Sequence, residues 1–302
     1  MTESKPDEFL PIREISRLTG INTVTLRAWE RRYGLLKPQR TEKGHRLYTQ
    51  EDVQRIQQVQ YWLNKGLAIS KVNELVQRTN QVESQTLEID SIWDELQNAL
   101  YLSALEMNRR QLDKELERLF SEYPVELLSD NLIVPLLNQL NAEQFPQASV
   151  QRFFTSVLEE QLCRMQYRQR QTAKGKKVLV MIASPVEEKT MGLLLNYGLL
   201  INGFKSEVIS YIDNHELAYA MNKLEPDYLC LLGYHQLDES LLLSQVNNLF
   251  ESKAQLILLG AVAEYMQSSG SESLKAHSLL ANRFQDLLQN LMQDLEELNH
   301  AE

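Results

Sequence analysis

Seven lysine or arginine residues fall between Thr25 and Tyr48, in the stretch TLRAWERRYGLLKPQRTEKGHRLY. Guanidinium and ammonium groups at that density suit one chemistry in particular, the neutralisation of phosphates with release of the counterions condensed on them. The rest of the chain opposes this charge, since the formal net charge over 302 residues is -10. Residues 11–80 carry 13 Lys or Arg against 6 Asp or Glu, a net of +7, whereas residues 81–302 carry 17 against 32, a net of -15. A basic module joined to an acidic body points to a polyanion as partner of the module alone. Charge by itself leaves a second reading open, a solvated face with no partner.

Other chemistries find little support. No nucleophile elbow, phosphate loop or pair of catalytic carboxylates occurs, so no enzyme activity is expected. Cys163 and Cys230 lie far apart and suggest neither a disulfide framework nor a metal site. His215, His235, His277 and His300 show no ligand spacing with one another or with the cysteines, and read as ordinary surface or strand-end residues. His235 alone follows an apolar run, DYLCLLGY, at the end where doubly wound domains place ligands. No run of eighteen apolar residues is present, so no membrane span is expected. The opening MTESKPDEFL lacks the pattern of a signal peptide, and a cytoplasmic setting is expected.

The elements that must position the basic residues can be read around them. In PIREISRLTG, Ile12, Ile15 and Leu18 form an apolar helical stripe closed by Gly20. Asn22 or Thr23 can cap a second helix whose buried side is Leu26, Trp29 and Tyr33, leaving Val24, Arg27, Ala28 and Arg31 to point away. Two short helices joined by a glycine-containing turn make a helix-turn-helix, whose second helix can enter a major groove. Pro38 and Gly44 break LLKPQRTEKGHRLY, and TEKG reads as the turn of a hairpin, a wing carrying Lys37, Arg40, His45, Arg46 and Tyr48. Thr49 then caps a helix with Asp52 as capping-box partner and Val53, Ile56, Val59 and Leu63 as core. A fourth helix follows Gly66, capped by Ser70, with Val72, Leu75 and Val76 buried.

Composition divides the remainder. Residues 79–90 are polar and aperiodic, as a linker would be. From about Ser91 to Thr172 only helical patterns occur: one starting at Trp93, Leu96 and Leu100, one at Leu112, Leu116 and Leu119, one from Leu127 to Leu140 bent at Pro135, and one on Val150, Phe153, Phe154, Val157, Leu158, Leu162 and Met165. Four such helices suggest a bundle. From Val178 the apolar runs VLVMIA, SEVISYI, DYLCLLGY and QLILLG read as buried parallel strands separated by crossover helices. Ser271 to Asn299 reads as one or two closing helices. The expected fold is therefore multidomain, α and α/β. A winged helix-turn-helix spans 9–80, a four-helix bundle 88–172, and a doubly wound, Rossmann-like parallel sheet domain 176–298.

The segment LRAWERRYGLLKPQRTEKGHRLY resembles the DNA-binding signature of MerR-family transcription regulators. Ala28-Trp29 and the spacing of ERRYG resemble the subgroup that adds a helical bundle and a cobalamin-binding-like domain. That subgroup includes light-sensing carotenoid-gene repressors and activators of curli and biofilm genes. The resemblance implies a regulator that binds a pseudo-palindromic promoter as a homodimer or higher homo-oligomer and engages RNA polymerase indirectly through distorted DNA. It also implies DNA contacts from Thr23, Thr25, Arg27, Arg31, Arg40, His45, Arg46 and Tyr48, with Trp29 and Tyr33 in the core.

The same resemblance bears on a cofactor. Domains of this type carry Asp-x-His-x-x-Gly after the first strand, the histidine ligating cobalt. Here SPVEEKTMG aligns Gly192 with the motif glycine, which puts Lys189 at the histidine and Glu187 at the aspartate. Gly233-Tyr234 and Gly260-Ala261 replace later landmarks, and the Trp and Glu-His pair of light-sensing relatives are missing before the fourth helix. A protonated lysine has no lone pair for a metal. No cofactor is therefore expected, and the branch without cobalamin chemistry, that of biofilm or matrix activators, fits best. The alternatives are a cobalamin-dependent light-responsive repressor, a corrinoid-carrier subunit of a methyltransferase, and a scaffold whose acidic half binds another protein or a small effector.

Overall fold

The computed structural model describes residues 9–78, 92–141, 147–182, 189–210, 214–233, 254–260, 263–264, 278–281, 283–288 and 290–291. The chain divides into two compact units, Met1–Gln151 and Arg152–Glu302. The expected linker at 79–90, Glu187, His235, His277 and His300 lie outside the described residues, as does the side chain of His215.

The first unit opens with β1 (Leu10–Pro11) and α1 (Ile12–Thr19), which ends on Gly20 at φ 70, a left-handed conformation suited to glycine. Ile15 of α1 is fully buried, but Leu18 is 40% exposed and Thr19 takes the inward position. The Thr19 hydroxyl can be buried there because it donates to the Ile15 carbonyl at 2.7 Å. Asn22, not Thr23, caps α2 (Thr23–Ala28): its Oδ1 accepts from the amides of Val24 at 3.0 Å and Thr25 at 2.9 Å. A π-turn, Trp29–Tyr33, continues α2 and ends on Gly34 at φ 60. The wing is β2 (Gln39–Arg40) and β3 (Arg46–Tyr48), closed at Thr41 and Gly44 by hydrogen bonds of 2.9 and 2.8 Å. β1 adds to the other side of β3, giving an antiparallel sheet of order β1-β3-β2 that no sequence pattern announced.

α3 (Gln50–Asn64) carries the expected capping box of Thr49 and Asp52 and buries Val53, Ile56, Val59 and Leu63. α4 (Ile69–Arg78) begins before Ser70, on the carbonyl of Ala68. A helical layer follows: α5 (Ile92–Leu105), α6 (Arg109–Glu122), α7 (Val125–Leu128) and α8 (Val134–Leu140). The expected single helix over 127–140 is divided by a second π-turn, Ser129–Ile133. Pro135, in the first turn of α8, has no amide to donate and so starts that helix rather than kinking one. α9 (Gln147–Arg170) runs across the boundary between the units.

The second unit is a five-stranded parallel sheet. It is built from β4 (Lys177–Ile182), β5 (Lys205–Ile209), β6 (Tyr228–Gly233), β7 (Gln255–Gly260) and β8 (Ser278–Ala281), in the order β5-β4-β6-β7-β8. Counted from β4, that order is the 2-1-3-4-5 arrangement of flavodoxin-like doubly wound folds. β6 is buried along its whole length, as expected of a central parallel strand. β8 corrects the expectation of helix alone after Ser271: in SLLA the apolar run is too short for periodicity to separate strand from helix. α10 (Lys189–Ile201) and α11 (Asn214–Leu224) are the crossovers after β4 and β5. Gly192 lets α10 lie close to the sheet, since a Cβ there would stand 2.9 Å from Ile182 Cδ1.

Candidate nucleic-acid interface

The candidate contact residues separate into three groups once the fold is known. Arg27 and Arg31, on α2 and its π-turn, are exposed and make no ion pair among the described residues. Thr23, half-buried, sits at the start of the same helix. This group forms a cationic, solvent-facing edge with no carboxylate paired to it among the described residues.

Arg40 and Arg46 are held instead by a residue that sequence reasoning passed over. Arg40 Nη2 donates to Glu30 Oε1 at 2.9 Å, and Arg46 Nε donates to Glu30 Oε2. Register puts Arg40 directly opposite Arg46 across the hairpin, so one carboxylate bridges both strands of the wing to the π-turn. Partial burial of Glu30 favours its neutral form, but the hydrogen bonds and charges of Arg46 and Arg40 prevail and hold its pKa below the ordinary value of 4.5. A sequence signal existed: Glu30 is the one carboxylate in AWERRYG, amid three arginines within four residues on either side. Arg40 is still 52% exposed at its side chain, and His45 is exposed at the wing tip, its amide tied to Thr41 Oγ1 at 3.1 Å.

The third group lies in the core. Thr25 is 1% exposed, and its hydroxyl oxygen accepts from Asn22 Nδ2 at 3.0 Å. Tyr48 is fully buried, its Oη has no hydrogen-bond partner, and burial followed by the charge of Glu30 pushes its pKa up to about 12. Neither side chain faces solvent, because the cap of α2 and the pairing of β3 with β1 turn them inward. Ala28, expected on the outer side, is also buried.

A second polar cluster fixes α2 from behind. Trp29 is fully buried, and its Nε1 donates to the Glu122 carbonyl at 2.8 Å. Arg32 Nη1 donates to Ser121 Oγ at 2.7 Å and approaches Glu122 Oε1 at 3.4 Å. Burial and then a hydrogen bond to Glu122 raise the pKa of the Tyr33 phenol, and Asn73 Nδ2 donates to the Tyr33 carbonyl at 2.7 Å. Arg32 is therefore a tether to α6, although its charge belongs to the same sequence cluster as Arg31.

Similarity to known proteins establishes the family. Residues 10–79 match the family described as MerR HTH family regulatory protein. Over 218 residues the chain is 31% identical to the HTH-type transcriptional regulator MlrA of Escherichia coli (strain K12), spanning 72% of this chain and 82% of that protein. The chain belongs to the MerR family. It is thus a DNA-binding transcription regulator rather than an enzyme. Two further MerR-type relatives fit the same picture. The MlrA protein of Salmonella typhimurium (strain SL1344) is 40% identical over 133 residues, 44% of this chain and 52% of that one. The HTH-type transcriptional repressor CarA of Myxococcus xanthus is 31% identical over 133 residues, 43% of this chain and 44% of that one. Among solved structures, a cobalamin-binding protein from Desulfitobacterium hafniense DCB-2 is similar at a TM-score of 0.32 and 12% identity, over 65% of this chain and 97% of that one. A likeness that loose carries no argument.

The residues at the expected cobalt-ligand position of this MerR regulator do not suit cobalamin. Lys189 Nζ donates to Glu159 Oε2 at 2.9 Å, and Thr190 Oγ1 donates to Glu159 Oε1 at 2.8 Å. The hydrogen bond to Glu159, then its charge, raise the Lys189 pKa, which keeps the amine protonated and its lone pair occupied. An ion pair between α9 and α10 stands where a ligating imidazole is required. Among the described residues no cluster of three or more His, Cys, Asp or Glu could hold a metal ion, and no helix is long and apolar enough to cross a membrane.

Proposed function

We propose that the chain regulates transcription by gripping a pseudo-palindromic promoter as a homodimer or higher homo-oligomer, with residues 9–80 as the DNA-binding domain. The bundle at 88–172 and the sheet domain at 176–298 serve oligomerisation and sensing. Arg27 and Arg31 supply the groove-side charge, with Thr23 beside them; Arg40, Arg46 and His45 bring the wing to the flanking phosphates. Thr25 and Tyr48 hold the frame and do not touch DNA. The observation that carries this reading is the exposure of Arg27 and Arg31 without an ion pair among the described residues, next to wing arginines already oriented by Glu30.

Distortion of the promoter costs a few kcal/mol, offset by phosphate contacts from both wings, and polymerase responds to the reshaped DNA. Activation of biofilm or matrix genes in the cytoplasm is the setting proposed, because the Lys189–Glu159 pair disfavours the cobalamin-dependent repressor. The test joins genome-wide mapping of bound sites to a salt titration on one mapped site. The Arg27→Ala/Arg31→Ala variant is expected to lower the slope of log K against log salt by up to about 2. Wild-type affinity and slope in that variant would sink the assignment.

A further inference from the structure

The sheet unit has a cavity of about 410 Å³ at the end of the sheet opposite Lys189. Its apolar lining comes from the start of β4 and the ends of the crossover helices: Val178, Leu179, Leu200 and Leu224, with Pro226 beyond. Four cations border it, Arg170, Lys177, Lys205 and Lys223, against one carboxylate, Glu207.

Internal pairing accounts for only part of that charge. Arg170 Nη2 takes up Glu207 at 3.0 Å. Lys177 Nζ donates to the Leu224 carbonyl at 3.1 Å and makes no ion pair among the described residues, the Asp227 carboxylate accepting instead from the Lys177 main-chain amide at 2.7 Å. Lys223 lies 5.7 Å from the centre of the Tyr219 ring, and Lys205 makes no ion pair or side-chain hydrogen bond among the described residues. Cations in the last turns of α9 and α11 offset the negative ends of those helices, which explains Arg170 and Lys223 without a ligand. It does not explain Lys205, which belongs to a strand. Register sets Lys177 directly beside Lys205 on neighbouring parallel strands, an arrangement in which like charges repel. It stands in the half of the chain whose net charge is -15, 17 Lys or Arg against 32 Asp or Glu.

An anion between the two ammonium groups removes the repulsion, and the apolar lining behind them selects its body. We propose that this cavity binds a small amphipathic organic anion, one acidic group on an apolar scaffold. The acidic group lies between Lys177 and Lys205, with Lys223 adding to the field, and the scaffold enters toward Leu179 and Leu200. The site is separate from the DNA-facing arginines, so its occupancy is read directly and not through transcription.

The experiment compares two fluorescent probes on the full chain: 8-anilinonaphthalene-1-sulfonate and N-phenyl-1-naphthylamine, the same aromatic body without the sulfonate. Saturable sulfonate binding is expected, at least about tenfold tighter than the neutral probe. Lys205→Glu/Lys223→Glu, both exposed positions, is expected to erase that preference while leaving the neutral probe's affinity unchanged. Lys65→Glu/Lys71→Glu, a matched charge reversal in the other unit, is expected to change neither. Ala173→Trp, which fills the cavity mouth, is expected to weaken both probes. Equal affinity for the two probes, wild-type sulfonate binding by Lys205→Glu/Lys223→Glu, or an equal loss in Lys65→Glu/Lys71→Glu would each overturn the proposal. Should Ala173→Trp fail to fold by circular dichroism, the two charge reversals decide.

Discussion

Trp29 and Glu122, 93 positions apart in sequence, are joined by a buried hydrogen bond of 2.8 Å from the indole to the main-chain oxygen. The bond fastens the π-turn that continues α2 to the end of α6, so the MerR-type module and the helical layer beside it share one core. Arg32 and Tyr33 reinforce the same junction through Ser121 and Glu122.

Trp29→Phe keeps an aromatic ring in the core but removes the donor. The Glu122 carbonyl then loses its partner while buried, and destabilisation of about 1–3 kcal/mol is expected from that loss together with the smaller ring. Urea unfolding of the full chain, followed by tryptophan-independent circular dichroism, measures it.

Glu30→Gln removes the negative charge that holds both wing arginines. General DNA affinity at low salt is expected to rise and the salt slope to steepen by up to about 1, since the freed guanidiniums are no longer partly neutralised. Discrimination between operator and random duplex is expected to fall, because the wing loses its bridge to the π-turn. Filter binding on both duplexes at several salt concentrations checks the two effects together.

The same carboxylate sets a pH dependence. Its folded pKa lies below the ordinary value of 4.5, so in the interval between the two the unfolded chain binds more protons than the folded one. The stability contributed by Glu30 is therefore present above pH 4.5 and is lost as pH falls through the folded pKa. Glu30→Gln is expected to show a shallower fall in melting temperature across that acid range than the wild-type chain.

Tyr48→Phe separates frame from contact. The hydroxyl is buried without a partner, so removing it is expected to be neutral or to stabilise by up to about 1 kcal/mol. DNA affinity is expected to stay within about twofold, since the ring that supports β3 remains. A large loss of affinity with unchanged stability would return Tyr48 to the contact surface.

Adenosylcobalamin mixed with the purified chain is expected to separate from it on gel filtration, leaving a colourless protein peak. The protonated Lys189, bound to Glu159, offers no ligand to cobalt. A stable red complex would show that another residue supplies the bond.

Local signals in this sequence translated well into structure. The Thr49–Asp52 capping box and the stripe Val53, Ile56, Val59 and Leu63 were legible because every partner lies within a few turns of one helix. β4, β6 and β7 were legible because buried parallel strands are continuous apolar runs. Features set by distant partners were not. Ala28 is inside because α2 meets α6, and Leu18 is outside because Thr19 can satisfy its own hydroxyl. Charge alone could not sort the arginines either. Arg27 and Arg31 face solvent, Arg40 and Arg46 answer to Glu30, and Arg32 turns to Ser121, a division made by tertiary neighbours.

The junction at Ser121 and Glu122 has a consequence for operator architecture. With its C-terminal turn pinned by Trp29, Arg32 and Tyr33, α2 has little freedom to swivel against the helical layer. In the proposed dimer, such a junction passes the packing of the two copies on to the angle between their α2 helices, and the duplex is then expected to present its half-sites at a matching angular phase. Inserting half a helical turn between half-sites, about five base pairs, should abolish paired binding, and inserting a full turn should restore part of it. The protein would then measure rotation along DNA as strictly as it reads bases.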